Sequence, residues 1–198
     1  MKIIKLFIAF CTLILVITLC TKSDNKNNDA NALSLLANFT DNGNGTVTDA
    51  SGKMWMKCTY GQVWDSATNL CTGTGGGTTY GAKSLAACST AGLCYDSSTL
   101  LLNSGPAFDA CNDLVFAGYS DWRLPTKYEL GGLAQGLGTR NVFLLSFPNT
   151  PDDKFFWSSS MSETDPKLAY SVNFSETDFG KEYTRTTTTV LYVRCIRP

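Results

Sequence analysis

The sequence predicts a single α+β domain with a mainly antiparallel sheet, two central helices and long loops braced by disulfides. Strand-like segments fall towards both ends of the chain, two helical patterns with their own start signals lie between them, and six cysteines are spread from Cys58 to Cys195. With 198 residues, 43% of them hydrophobic, the chain can bury one core and is too short for two enzymatic domains.

The N-terminus comes first in chain order. Lys2 and Lys5 precede an apolar run from Leu6 to Leu19, shorter than the ~20 residues a comfortable membrane span needs. Residues 1–19 therefore read as a secretory signal. Ile17-Thr18-Leu19-Cys20 is similar to a bacterial lipobox, with Leu19 where that pattern has a small residue, so Cys20 is the expected lipid attachment point. Cleavage after Cys20, with Thr18 and Cys20 as the small residues, and an uncleaved anchor are the alternatives. From Thr21 to Asn31 no apolar side chain exceeds alanine, so residues 20–37 are expected to form a flexible polar tether before a domain at 38–198. Loss of residues 1–19 removes Lys2 and Lys5, leaving fourteen basic against seventeen acidic side chains, a net charge of −3.

Cysteine usage agrees with export. Cys11 lies in the signal and Cys20 at its boundary, which leaves Cys58, Cys71, Cys88, Cys94, Cys111 and Cys195 as disulfide candidates. Six cysteines admit 15 connectivities, and sequence alone does not choose among them. The preferred set is Cys58–Cys71, Cys88–Cys94 and Cys111–Cys195, the last tying a mid-chain helix to the final strand. A thiolate metal site is disfavoured because no close Cys-x-x-Cys pair exists.

Phe39 to Asp49 places Asp41-Asn42-Gly43-Asn44-Gly45 between β-branched residues, the pattern of a tight hairpin. A calcium loop is disfavoured there, since glycine stands at 43 and 45 where ligands belong and no glutamate closes the loop. Lys53-Met54-Trp55-Met56 begins a buried strand. Cys58 to Leu102, rich in Gly, Thr and Ser, reads as loop, with a short helical turn over Ala82–Ala87. A helix is predicted from Pro106, ending near Gly118 and burying Ala107, Cys111, Leu114 and Val115. Thr126-Lys127-Tyr128-Glu129 is a capping box for a second helix with Leu130, Leu133, Ala134 and Leu137 inward. Strands follow at Phe155–Ser160, Ala169–Phe174 and Thr189–Cys195.

Composition also bounds function. The chain has no histidine, so histidine triads and histidine-ligated zinc are excluded. A formal charge of −1 and a pI near 5.4 offer no basic footprint for nucleic acid. Nothing beside Ser158-Ser159-Ser160 would activate a serine nucleophile: the chain has no histidine, and none of these serines begins a Ser-x-x-Lys arrangement. No cofactor is expected.

Four segments carry a family resemblance: Asp41 to Asp49 with Trp55; Gly118-Tyr119-Ser120-Asp121-Trp122-Arg123-Leu124-Pro125-Thr126 with Glu129; Phe156-Trp157-Ser158-Ser159-Ser160; and Val193-Arg194-Cys195-Ile196-Arg197. Together, in this order, they resemble the Lcl C-terminal domain family, the globular head of the Legionella collagen-like adhesin. The resemblance implies a C-type lectin-like fold, related to that of formylglycine-generating enzymes, with a mixed, mainly antiparallel sheet; Cys111 with Cys195 fits the family's helix-to-last-strand pair. It implies structural roles for Trp55, Asp121, Trp122, Arg123, Pro125, Glu129, Trp157 and Ser158. Trp122 is expected in the core, and Arg123 on a carboxylate or loop carbonyls.

The implied function is an exported surface binding module, an adhesin-like lipoprotein recognising glycan or host matrix and held to the outer membrane or cell surface through lipid on Cys20. Secretion or a periplasmic location is the alternative. In the adhesin the head binds sulfated glycosaminoglycans as a trimer; this chain has no Gly-X-Y repeat to indicate an oligomer, and its mature charge is acidic. Lys181, Arg185, Arg194 and Arg197 are the candidate basic contacts for such a ligand. The competing readings are a structural or interaction component of the bacterial envelope without a glycan ligand, and an oxidase like the formylglycine-generating enzymes, which would need two neighbouring reactive thiols.

Overall fold

The computed structural model describes residues 39–137, 139–151, 154–175 and 177–198; the expected signal, Cys20 and the whole of the expected tether lie outside them. The expected hairpin forms β1 (Phe39–Asp41) and β2 (Thr46–Asp49). Between them Gly43 and Gly45 take positive φ, and a Cβ at Gly45 would stand 2.9 Å from the Phe116 ring, so this turn needs glycine for both conformation and space. β3 (Met54–Met56) continues the meander, and the C-terminal β13 (Ile196–Arg197) pairs with it antiparallel, Ile196 opposite Trp55. One four-stranded sheet thus joins both ends of the domain.

A second sheet is built around β9 (Phe155–Met161) and β10 (Leu168–Asn173), antiparallel neighbours with a register shift between Ala169 and Ser171. β11 (Glu182–Thr186) closes one edge, while β12 (Val190–Tyr192) lies parallel to β9 on the other side. Next to β12 is β6 (Ser84–Ala86). This corrects the helical turn expected at Ala82–Ala87: the local alanines favour a helix, but the open edge of β12 supplies backbone partners that one isolated turn would lack. The segment expected as loop also holds the hairpin β4 (Gln62–Asp65) with β5 (Leu70–Gly73) and the short pair β7 (Tyr95–Asp96) with β8 (Leu101–Leu102), which attaches to β9 at Ser160.

Three α-helices are found among the described residues, one more than the sequence suggested. α1 (Pro106–Asn112) starts on proline and buries Ala107 and Cys111. It stops before Leu114 and Val115, so the predicted inward stripe is cut short and Val115 is 74% exposed. α2 (Lys127–Leu137) begins on the predicted box: the Thr126 amide donates to Glu129 Oε2 at 2.9 Å, and the Glu129 amide donates to Thr126 Oγ1 at 3.3 Å. Leu130, Leu133 and Ala134 are buried as predicted; the Leu137 side chain lies outside the described atoms. The additional α3 (Arg140–Ser146) is capped by Thr139, whose hydroxyl accepts from the Val142 amide. Its apolar face places Phe143 against Phe147 and Phe174.

All three preferred disulfides are present, Cys58–Cys71, Cys88–Cys94 and Cys111–Cys195, with Cα separations of 5.3, 5.5 and 5.5 Å. The Cys111–Cys195 bridge sits in the main core with Trp122, Trp157 and Val193. Among the described residues no helix is long and apolar enough to cross a membrane.

Candidate functional site

The family-motif residues form a spine through the domain. Trp55 is buried and its indole N–H donates to Asp49 Oδ2 at 2.9 Å, holding the β2–β3 turn. Trp122 and Trp157 are buried, donating to the carbonyls of Phe116 and Leu85. The Arg123 backbone exchanges hydrogen bonds with Ile196. The Pro125 carbonyl accepts from the Ser159 amide, and Ser158 lies in the middle of β9, donating to the Tyr170 carbonyl. The serine run is therefore the interior of a strand that continues to Met161, rather than the strand end expected from sequence.

Arg123 and Glu129 make the most connected ion pair of this spine. The two guanidinium nitrogens donate to the two carboxylate oxygens at 2.8 and 2.7 Å, and Lys53 Nζ approaches Oε1 at 3.1 Å. Burial opposes ionisation of Glu129, but Arg123, the Thr126 amide and Lys53 outweigh it and bring the carboxyl down to about 2. Asp49 is also held below its usual value: burial opposes ionisation, but Ser51, Trp55 and the Lys53 amide together outweigh it.

These groups border a cleft of about 530 Å³ between the β2–β3 turn and α2. Asp49, Ser51 and Lys53 form its polar wall, Phe39 supplies aromatic surface, and the buried Trp55 lies behind Asp49. On the helix side Tyr128, Gly132 and Gly136 follow at intervals of four, so they share one face. Tyr128 is 74% exposed, and its hydroxyl has no hydrogen-bond partner among the described residues; a Cβ at Gly132 would meet nothing within 4 Å. The result is a trough with a tyrosine ring at one end and bare backbone along the helix.

None of Phe39, Tyr128, Gly132 or Gly136 stands out in the sequence as a site residue. One signal was available. Three glycines in the eleven residues of α2 oppose helix formation by about 1 kcal/mol each relative to alanine, so glycine there marks a need for space. Gly132 and Gly136 open the cleft; a Cβ at Gly131 would instead face Glu182 at 3.6 Å.

The candidate basic contacts do not converge. Arg194 is wholly buried, which removes it as a surface contact. Its guanidinium donates to the carbonyls of Met56 (2.8 Å) and Lys57 and to the hydroxyls of Thr59 (3.3 Å) and Thr150 (2.7 Å). Arg197 forks onto Asp121 at 2.6 and 3.0 Å over the Tyr119 ring. Lys181 pairs with Asp178 at 2.5 Å, and Arg185 lies 4.3 Å from the Phe155 ring centroid. Arg185 and Arg197 belong to different sheets, in β11 and β13. The charge pattern that looked available in sequence is used by the fold itself. Among the described residues no group of three or more Cys, Asp or Glu side chains is arranged to hold a metal ion.

A family model described as the Lcl C-terminal domain matches residues 45–197, and the chain belongs to that family. No curated protein matches the chain.

Proposed function

We propose that this protein is an exported, non-catalytic binding module that displays its Lcl C-terminal domain at the bacterial surface and recognises a glycan or glycan-bearing matrix through the cleft between the β2–β3 turn and α2. The observation that carries the reading is the cleft itself, where an exposed tyrosine ring, a glycine-lined floor and a wall of hydrogen-bonding side chains face one another. An aromatic face covers the apolar side of a sugar ring, and neighbouring polar groups exchange hydrogen bonds with its hydroxyls. Family membership supports an adhesin-like role.

The chemistry present favours binding over catalysis. The six described cysteines are all disulfide-bonded, so they offer no pair of thiols for copper-dependent oxidation. The serines of β9 are buried in the sheet, where Ser158 and Ser159 donate to the Tyr170 and Pro125 carbonyls and Ser160 accepts from the Lys127 amide. The Leu6–Leu19 run and Cys20 support export followed by lipid anchoring at the outer membrane or cell surface; the acidic composition argues against nucleic acid as a partner. A glycan array with the exported protein tests the proposal. Saturable binding weakened at least tenfold by Tyr128→Ala is the expected result. No binding to any glycan at low ionic strength would leave the envelope-component reading in its place.

A further inference from the structure

We infer that the cleft takes an uncharged saccharide and discriminates against sulfated or otherwise polyanionic glycans; the inference rests on the glycan reading and narrows its ligand class. It comes from how the charges around the cleft are matched. Asp49, Glu129 and Lys53 line it, two carboxylates against one ammonium. Arg123, just behind, commits its fork to Glu129, so these four groups sum to zero. Lys127 lies 5.2 Å from the Tyr128 ring centroid, and its ammonium is paired with Glu163 at 3.2 Å. Every cation beside the cleft therefore already faces a carboxylate. A sulfate entering here would have to compete with Glu129 for Lys53, the one cation of the cleft lining, and would approach Asp49.

The remaining hydrogen-bond capacity suits hydroxyls. Glu129 is saturated, since its two oxygens accept from Arg123, Lys53 and the Thr126 amide and hydroxyl. Asp49 Oδ2 accepts only from the Trp55 indole and keeps a free lone pair. Lys53 Nζ has one carboxylate partner and keeps two N–H donors. Tyr128 adds a hydroxyl without a hydrogen-bond partner among the described residues. One acceptor, one donor and a group that can act as either are what neighbouring sugar hydroxyls require, each being both donor and acceptor. The tyrosine ring and the open backbone at Gly132 accommodate the flat side of a pyranose without charge.

The test is calorimetric titration of the exported protein with uncharged gluco-, galacto- and manno-hexaoses and with a heparin hexasaccharide, at about 50 and 500 mM salt. At least one uncharged hexaose is expected to bind at least tenfold more tightly than the heparin fragment, its affinity changing less than about twofold between the two salt concentrations. Tyr128→Ala should weaken that binding about tenfold or more. Gly132→Leu, which fills the trough at a position with open space, should abolish binding while keeping the wild-type melting temperature or raising it. Heparin binding that is tighter, falls steeply with salt and ignores both substitutions would overturn the uncharged-sugar assignment and leave the glycan reading standing. Failure of every oligosaccharide to bind would overturn both.

Discussion

Arg194 and Arg123 present the same planar fork in opposite surroundings. Arg194 is enclosed and pairs with no carboxylate among the described residues; carbonyls of Met56 and Lys57, two threonine hydroxyls and the Phe147 face, 4.6 Å from its guanidinium carbon, take the place of a counterion. Its Nε has no partner among the described residues, and burial brings the group down to about 9, which leaves it charged at neutral pH. Arg123 is 38% exposed and bidentate to Glu129 at the edge of the cleft. Interior and rim thus divide the tasks of one side chain. Arg194 binds the C-terminal segment to the β3–β4 connection by geometry, whereas Arg123 neutralises a carboxylate that would otherwise dominate a binding surface.

The largest expected effect lies beside the interior arginine. Replacing Cys111 and Cys195 together by alanine frees the residue next to Arg194 and should cost about 4–5 kcal/mol in the chain-entropy account, read as a fall in the denaturation midpoint. Arg194→Ala follows, at about 3–5 kcal/mol, because it strands buried carbonyls and hydroxyls. Arg194→Lys should recover only part of that loss, since an ammonium cannot span the same acceptors; full recovery would show that charge, not the fork, is what the interior uses.

At the rim the effects are smaller and depend on pH. Glu129→Gln should cost about 1–2 kcal/mol at pH 7 after allowance for solvent screening of its exposed partners. The folded carboxyl lies below its unfolded value of 4.5, so its contribution is complete above that value and is lost as pH falls towards about 2. Denaturation of both proteins at pH 7, 4 and 2.5 should show the gap closing on acidification; a gap independent of pH would mean packing rather than ionisation. The same substitution leaves Arg123 and Lys53 unmatched, so affinity for a heparin hexasaccharide should rise several-fold at low salt, roughly as a unit charge acting within a Debye length allows. The smallest effect is a gain. Gly132→Ala should stabilise the protein by about 0.5–1 kcal/mol, because helix propensity improves where a Cβ meets nothing.

The contrast between these regions also explains what could be read from sequence. The Phe39–Asp49 hairpin and the start of α2 follow from local chemistry: turn glycines between β-branched residues, and a threonine three positions before a glutamate. Arg123 was expected on a carboxylate or loop carbonyls, and it holds both Glu129 and the Leu124 carbonyl. Arg194 was read with the surface cations because an arginine flanked by Val193 and Cys195 has no local feature that reveals how deeply it sits. Its acceptors come from residues 44 to 138 positions away.

The family, the α+β composition, the starts of α1 and α2 and the cysteines available for bridging are all legible in the sequence, since each depends on residue type and short spacing. Tertiary structure decided the rest. It made Ser84–Ala86 a strand by offering the edge of β12, placed Arg194 inside by surrounding it with distant carbonyls and phenylalanines, and opened the cleft by bringing Asp49 and Lys53 opposite the Tyr128–Gly132 face of α2. Those outcomes depend on which distant backbone groups and side chains meet, and no local pattern specifies such encounters.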